Sequence, residues 1–335
     1  MAGRAEIKQV KEAHKEEIMS KPNVIGVGVG YKDYKGVRTN ELSLVTLVRR
    51  KMPLAGLSPQ DVVPKSVNGI PTDVVEVGDV RALQARTDRW RPAPGGVSIG
   101  HYRITAGTLG AVVRDRDTGE RLILSNNHVM ANSNDASIGD PILQPGPTDG
   151  GTTSSDVIAN LLRFCPIQFS QEPGTCSIAS SFAELGNTIA ALLGSKHRVQ
   201  TLRANPQAAN LVDCAVARPV NDGDVLDEIL EVGTVAGTLD AALGMAVRKS
   251  GRTTGFTTGE IIVLDATVSV SYGVGRTASF ENQIVTGPIS QGGDSGSLVV
   301  AGNELKAVGL LFAGSDQSTI LNPIQAVLDC LNITI

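Results

Sequence analysis

The chain holds 335 residues, of which 41% are hydrophobic and 19% charged, and its formal net charge is -4. This is an ordinary globular balance with room for two domains, and the acidic charge without a dense basic patch excludes a nucleic-acid partner. No run of about 18 apolar residues occurs, so no membrane span is expected; with 3% aromatic residues the core must be built from Val, Ile, Leu and Ala.

Met1 to Ser20 is highly charged and has no apolar h-region, which predicts no signal peptide and a cytoplasmic location. Within it, residues 4–20 read as a helix carrying Ile7, Val10, His14 and Ile18 on one face, ended by Pro22. Val24 to Tyr31 alternates apolar residues with Gly26, Gly28 and Gly30 and reads as a strand; the G-x-G-x-G spacing and the turn that follows lack the strand-to-helix context of a nucleotide loop. Glu41 to Arg50 pairs with it across Asp33 to Asn40, and Asp73 to Val77 adds a third strand. Residues 1–80 thus form a small α+β domain, regulatory, oligomerising or an inhibitory prosegment. Residues 81–96, with Arg81, Arg86, Arg89 and Arg91 leading into Pro92, Pro94, Gly95 and Gly96, read as a linker.

From residue 97 to 335 short strands follow one another between Gly, Asn, Asp and Thr turns. They are Gly110 to Arg114, Arg121 to Leu124, Asn210 to Ala217, Ala246 to Lys249, Gly259 to Val263, Ser297 to Val300 and Lys306 to Phe312. This punctuation indicates a sandwich or barrels. Ser177 to Leu193 places Ile178, Phe182, Leu185, Ile189 and Leu193 at helical spacing, a helical insertion, and Pro323 to Leu331 reads as a second helix. The four cysteines, Cys165, Cys176, Cys214 and Cys330, read mostly as buried thiols of a reducing compartment, although spacing permits a Cys165–Cys176 bridge. No His/Cys/Asp/Glu cluster has ligand spacing, so no metal and no cofactor are expected.

Three segments carry chemistry. Gly292-Gly293-Asp294-Ser295-Gly296-Ser297 sits between a polar turn and an apolar strand. A hydroxyl shown on such a turn, with the amides of Gly293 and Ser295 as an oxyanion hole, suits acyl transfer; a plain glycine-rich hairpin is the blander account. A serine hydroxyl needs a general base. Of four histidines only His128, in Ser125-Asn126-Asn127-His128-Val129 after an apolar strand, has a suitable context. Asp213 lies in the apolar run Leu211-Val212-Asp213-Cys214-Ala215, where a buried carboxylate needs a partner. It suits an acid that orients His128, though a strand-end Asp bonded to backbone would look alike. Asp135, Asp140 and Asp156 are rivals in more polar settings.

Asn126-Asn127-His128-Val129 and Gly293-Asp294-Ser295-Gly296, in the order His, Asp, Ser, resemble the motifs of bacterial trypsin-like and high-temperature-requirement serine proteases over roughly residues 95–335. Gly95 to Gly100, Gln144-Pro145-Gly146, Gly251 to Gly255 and the opening Asn23 to Gly30 are similar to the bacterial subgroup related to the narrow-leaf protein of plants. The resemblance implies a mainly β fold: two six-stranded antiparallel barrels of chymotrypsin type, with the helical insertion, behind the small α+β domain. It implies an intracellular endopeptidase acting on protein or peptide substrates through a His128–Asp213–Ser295 triad, and assembly into homo-oligomers. Ile289 would floor the primary pocket and Phe312, Ala313 and Gly314 would form its wall, favouring a small or medium apolar residue at the cleaved position. Ser297 departs from the family's second glycine. Because about 90 residues precede the protease region, Asp294 must find a partner other than a freed N-terminal amine. A pseudoprotease serving as a binding scaffold, or an esterase of the same chemistry, are the competing functions.

Overall fold

The computed structural model describes all residues except 1, 35, 79, 81–83, 206–207 and 274, so Arg81 of the expected linker lies outside the described residues. The chain divides into two compact units, Met1–Gln84 and Ala85–Ile335.

In the first unit, helix α1 (Arg4–Met19) precedes strands β1 (Val24–Tyr34), β2 (Val37–Val48), β3 (Ser66–Val67) and β4 (Ile70–Glu76). The sheet order is β1-β2-β4-β3, with β1 and β2 an antiparallel hairpin and β2 parallel to β4. Ile7 and Ile18 of the helix bury against Leu44, Val67 and Ile70, as its apolar face predicts. The hairpin turn is tighter than expected, because both strands extend to Tyr34 and Val37.

The second unit is mainly β. Its first strands are β5 (Ala93–Gly95), β6 (Ser98–His101), β7 (Gly107–Thr108), β8 (Ala111–Asp115) and β9 (Arg121–Ser125). A one-turn helix α2 (Asn127–Met130) leads to β10 (Pro141–Leu143), β11 (Val157–Phe164), β12 (Gln171–Pro173), helix α3 (Ser177–Leu192) and β13 (Leu202–Ala204). Then come β14 (Ala215–Pro219), β15 (Val225–Ile229), β16 (Gly233–Thr234), β17 (Ala246–Gly251), β18 (Gly255–Ser271), β19 (Thr277–Thr286), β20 (Leu298–Ala301), β21 (Ala307–Gly314) and β22 (Thr319–Pro323), ending in helix α4 (Ile324–Leu331) and β23 (Ile333–Thr334).

The strands make two six-stranded barrels. In the first, β8-β9-β14-β11-β10-β6 run in order, and the ring closes because the segment entering β8 also pairs, as β7, with β6. In the second, β19-β18-β17-β20-β21-β22 close on themselves through the β19–β22 pairing. Several strands lack apolar–polar alternation because both faces are buried. Ile123 and Val299 point into their own barrels, whereas Leu122, Leu124, Leu298 and Val300 meet between them, covered by Val327 and Leu328 of α4.

Several expectations need correction. Residues 85–96 are packed into the second unit rather than solvated. Ala93–Gly95 pairs with β15, Arg86 bonds Ser250 and Glu231, and Arg91 bonds the Gln144 side chain. The bridge joins Cys165 to Cys330, 165 residues apart, instead of Cys165 to Cys176, which is free and exposed; spacing along a chain says nothing of a partner brought in by the last helix. The insertion is helical as its period predicts, and its apolar face is outward, with Phe182 at 72% and Leu192 at 82% exposure. The strand expected from Asn210 begins only at Ala215, because Asp213 is drawn into side-chain contacts.

Candidate active site

His128 stands on α2, directly after β9. Three polar residues pin that junction. The Ser125 hydroxyl donates to Thr108 O at 2.8 Å, the Asn126 amide to Asp213 O at 2.7 Å, and the Asn127 amide to Cys165 O at 2.8 Å. Each is fully buried, and each of these donors finds its partner inside the protein, although the Asn126 Oδ1 has none among the described residues.

Asp213 is also fully buried. Its Oδ2 lies 2.6 Å from His128 Nδ1, and its Oδ1 accepts the His128 backbone N–H at 3.2 Å. A carboxylate on Nδ1 holds the imidazole in the tautomer that leaves Nε2 able to accept a proton. Two groups absent from the motif reading complete the setting. Tyr272, at the end of the long β18–β19 hairpin, donates its hydroxyl to Asp213 Oδ2 at 2.8 Å and places its ring edge-on to His128, 5.9 Å between centroids. Burial, and then the Asp213 charge, push the Tyr272 phenol well above its ordinary range, so it stays a donor. Asp213 N–H donates to Asn322 Oδ1 at 3.0 Å; the Asn322 amide reaches Gln283 Oε1 at 2.7 Å, and Gln283 reaches Leu211 O at 2.9 Å. These buried amides carry the second barrel's grip on the acid. An Asn and a Gln beside apolar strand residues were the sequence signal for them.

The rival acids are engaged elsewhere. Asp140 bonds the buried His101 at 3.0 Å, Asp135 pairs with Arg276 at 2.7 Å, and Asp156 accepts from Arg89 and its own turn.

Ser295 lies on the turn before β20. Its carbonyl accepts the Thr108 N–H at 2.8 Å. Gly107 is where the two loops meet: a side chain there would collide with Val129, the residue after His128, and with the Ser295 carbonyl. Gly293 adopts φ +97°, a conformation that favours glycine. Among the described residues, the N–H groups of Gly293 and Ser295 donate to no protein acceptor. Free amides beside a hydroxyl suit a developing oxyanion. The Ser295 hydroxyl itself donates to Phe312 O at 3.4 Å, and no hydrogen bond joins it to His128. The geometry therefore brings His128 and Asp213 into contact and leaves Ser295 near them with its hydroxyl turned aside.

The partner of Asp294 is Lys249. Both side chains are fully buried and lie 3.2 Å apart. Asp294 also accepts the N–H groups of Thr253 at 2.8 Å, Thr254 at 3.1 Å and Gln291 at 3.0 Å, and the Thr254 hydroxyl at 2.6 Å. Burial pulls the Asp294 carboxyl upward, but these donors and Lys249 outweigh it and hold it below the usual range. Lys249 is also pushed down, by burial first, because it has one carboxylate against that cost. The two shifts do not mirror each other; the carboxylate has the richer set of donors, and we take it as ionised. Strand 246–251 reads Ala-Val-Arg-Lys-Ser-Gly, so nothing local set Lys249 apart from Arg248 beside it.

A cavity of about 450 Å³ opens beside Ser295, lined by Ser290, Gln291, Ala313, Gly314, Ser315 and Asp316 among others. Ala313 and Gly314 lie where expected; Ile289 and Phe312 do not. Ile289 is buried in the core of the second barrel, and Phe312 packs on Phe280 at 4.7 Å. Neighbouring residues of extended chain face opposite ways, so Ser290 and Ala313 take the cavity while Ile289 and Phe312 turn from it.

Two closed six-stranded barrels with the candidate site between them are the architecture of chymotrypsin-type serine proteases. Neither a protein-family profile nor a curated protein matches the chain. Among solved structures it is similar to a Nocardiopsis protease (17% identity, 72% of this chain and 98% of that one, TM-score 0.46). It is likewise similar to Thermobifida fusca protease A (17%, 72% and 98%, TM-score 0.45) and to a glutamic acid-specific serine protease (19%, 72% and 100%, TM-score 0.45). The fold assignment rests on the strand order.

Proposed function

We propose that this chain is a serine endopeptidase in which Ser295 attacks a peptide carbonyl, His128 takes and returns the proton, Asp213 orients His128, and the Gly293 and Ser295 amides hold the oxyanion. The observation that carries this reading is the imidazole fixed by a buried carboxylate beside a serine turn with two free amides. Rotation of Ser295 about χ1 moves the hydroxyl off Phe312 O; that bond is long, so leaving it costs little, and resting sites of this kind often tighten only with substrate. The same observation favours the second reading, a scaffold of protease shape, if the hydroxyl never leaves Phe312. A fluorophosphonate probe separates them: covalent labelling at Ser295 supports the peptidase, and a folded, unlabelled chain supports the scaffold.

Tyr272→Phe tests the hydroxyl on Asp213. Loss of a hydrogen bond to a charged group, on the order of 1.5 kcal/mol, should lower kcat roughly tenfold. KM should hold, because the hydroxyl is spent on Asp213 and Tyr272 does not line the cavity beside Ser295. An unchanged kcat would remove Tyr272 from the mechanism.

The cavity lining is mixed, with Ser290, Gln291, Ser315 and Asp316 beside Leu311 and Ala313. With Asp316 on it, the proposed preference is Lys or Arg at the cleaved position, and Asp316→Asn should reduce that preference by about tenfold if the carboxylate pairs with the cation. A peptide library cut mainly after Ala, Val or Leu would restore the apolar reading. Homo-oligomerisation and membership of the narrow-leaf-related subgroup belong to the same proposal. The cytoplasmic location expected from the charged N-terminal segment is opposed by the Cys165–Cys330 bridge, since reducing compartments keep such pairs as thiols.

A further inference from the structure

Three of the four cysteines meet at the edge of the candidate site. Cys165 follows β11, Cys214 precedes β14 and follows Asp213, and Cys330 lies in α4. Cys165 and Cys330 are bridged, and Cys214 is a buried free thiol. The Cys214 sulfur lies 3.4 Å from that of Cys165, and all three sulfurs fall within 4.8 Å of one another. The two backbones are already neighbours, Cys165 N–H donating to Cys214 O at 3.0 Å. Bringing the sulfurs to bonding distance requires a closure of roughly 1.4 Å.

Two bridges therefore compete for one sulfur. We propose that Cys165, Cys214 and Cys330 form a thiol–disulfide exchange site that converts Cys330 into an exposed, modifiable thiol. The Cys214 sulfur attacks Cys165 Sγ, the Cys165–Cys214 bond forms, and the Cys165–Cys330 bond breaks. Cys330 leaves as a thiolate and takes up the proton that Cys214 lost, so no oxidant or reductant is consumed. Cys165 is the sulfur in contact with the attacker, and the leaving sulfur belongs to an exposed residue, where water stabilises its charge; because the three sulfurs lie within 4.8 Å in a bent array, Cys214 must also swing into line behind the Cys165–Cys330 bond. Burial, and then the Asp213 charge, push the Cys214 thiol well above its ordinary range, which keeps the exchange slow. The exchange unties α4 from β11 and ties β11 to the residue after Asp213. Cys165 O is also the acceptor for the Asn127 amide beside His128, so the bridge state bears on both members of the His–Asp pair.

The test is a peptide map, which stands whether or not the chain is a peptidase. Native protein is held in mildly alkaline buffer with iodoacetamide and no reductant, quenched in acid and digested. Carbamidomethylated Cys330 and a Cys165–Cys214 linked peptide are expected in the wild type, and both should be lost in Cys214→Ser. Cys176, free and exposed in either protein, reports that the reagent works. Cys330→Ser, treated with oxidised glutathione, should form the Cys165–Cys214 bridge. The proposal is overturned by a wild type in which Cys330 stays unlabelled, by equal Cys330 labelling in Cys214→Ser, or by a Cys330→Ser protein that yields only mixed disulfides with glutathione.

Discussion

Ser295→Ala is expected to lower kcat by about 10⁶, the scale on which loss of a nucleophile acts when it works as a unit with its base. The hydroxyl is partly buried and makes one long bond, to Phe312 O at 3.4 Å, so its removal should leave stability within about 1 kcal/mol of the wild type. Activity and stability thus come apart at this position. A steady-state assay on peptide substrates, paired with a urea melt, reads both. Peptidase turnover retained in a folded Ser295→Ala protein would remove the proposed mechanism entirely.

The second large effect is expected at Lys249, which touches no part of the reacting groups. Lys249→Met leaves the Asp294 carboxylate buried without its cation. Breaking a buried pair from one side costs about 3–5 kcal/mol; the backbone N–H groups of Thr253, Thr254 and Gln291 that remain on Asp294 point to the lower end. Asp294→Asn in the same protein removes the orphaned charge, so Lys249→Met/Asp294→Asn should recover most of the loss. Urea midpoints of the single and double variants measure this, and a single variant as stable as the wild type would show the pair to be idle. Fluorophosphonate labelling of Ser295 should fall with the single variant, because Asp294 is the residue that anchors the turn between Gln291 and Ser295.

The pH dependence follows from the same pair. Asp294 is held below its ordinary range in the folded protein, so the folded state binds its proton less readily than the unfolded state. Its contribution is present above the ordinary carboxyl range and fades as pH falls through the folded value. Asp294 therefore predicts stability that increases with pH across the acid range. Acid melts of the wild type should be steeper than those of Lys249→Met/Asp294→Asn.

Much of the architecture was legible from local chemistry. The helix of residues 4–20, the hairpin after it and the second helix near the C-terminus each announced themselves by period or by turn residues. His128 and Asp213 were legible because each residue type was out of keeping with its surroundings: a histidine ending an apolar strand and a carboxylate inside an apolar run, found in contact at 2.6 Å. Its glycines marked the Ser295 turn, while the orientation of the hydroxyl, on Phe312 O rather than His128, was not legible. The helix Ser177–Leu192 was legible from its period, but its outward face was not, because an apolar stripe shows that a face is apolar without showing whether anything covers it.

Chain-local pattern determined which residues were chemically unusual, and hence where a site could be. Tertiary structure alone decided who stands next to whom: Lys249 behind Asp294, Tyr272 on Asp213, Asn322 under Asp213, Cys330 on Cys165 and Ser290 rather than Ile289 in the cavity. The physical reason is that each of these contacts closes a loop of dozens to more than a hundred residues or turns on which way one strand residue faces. Both are set by how the barrels pack and twist, which no window of sequence records.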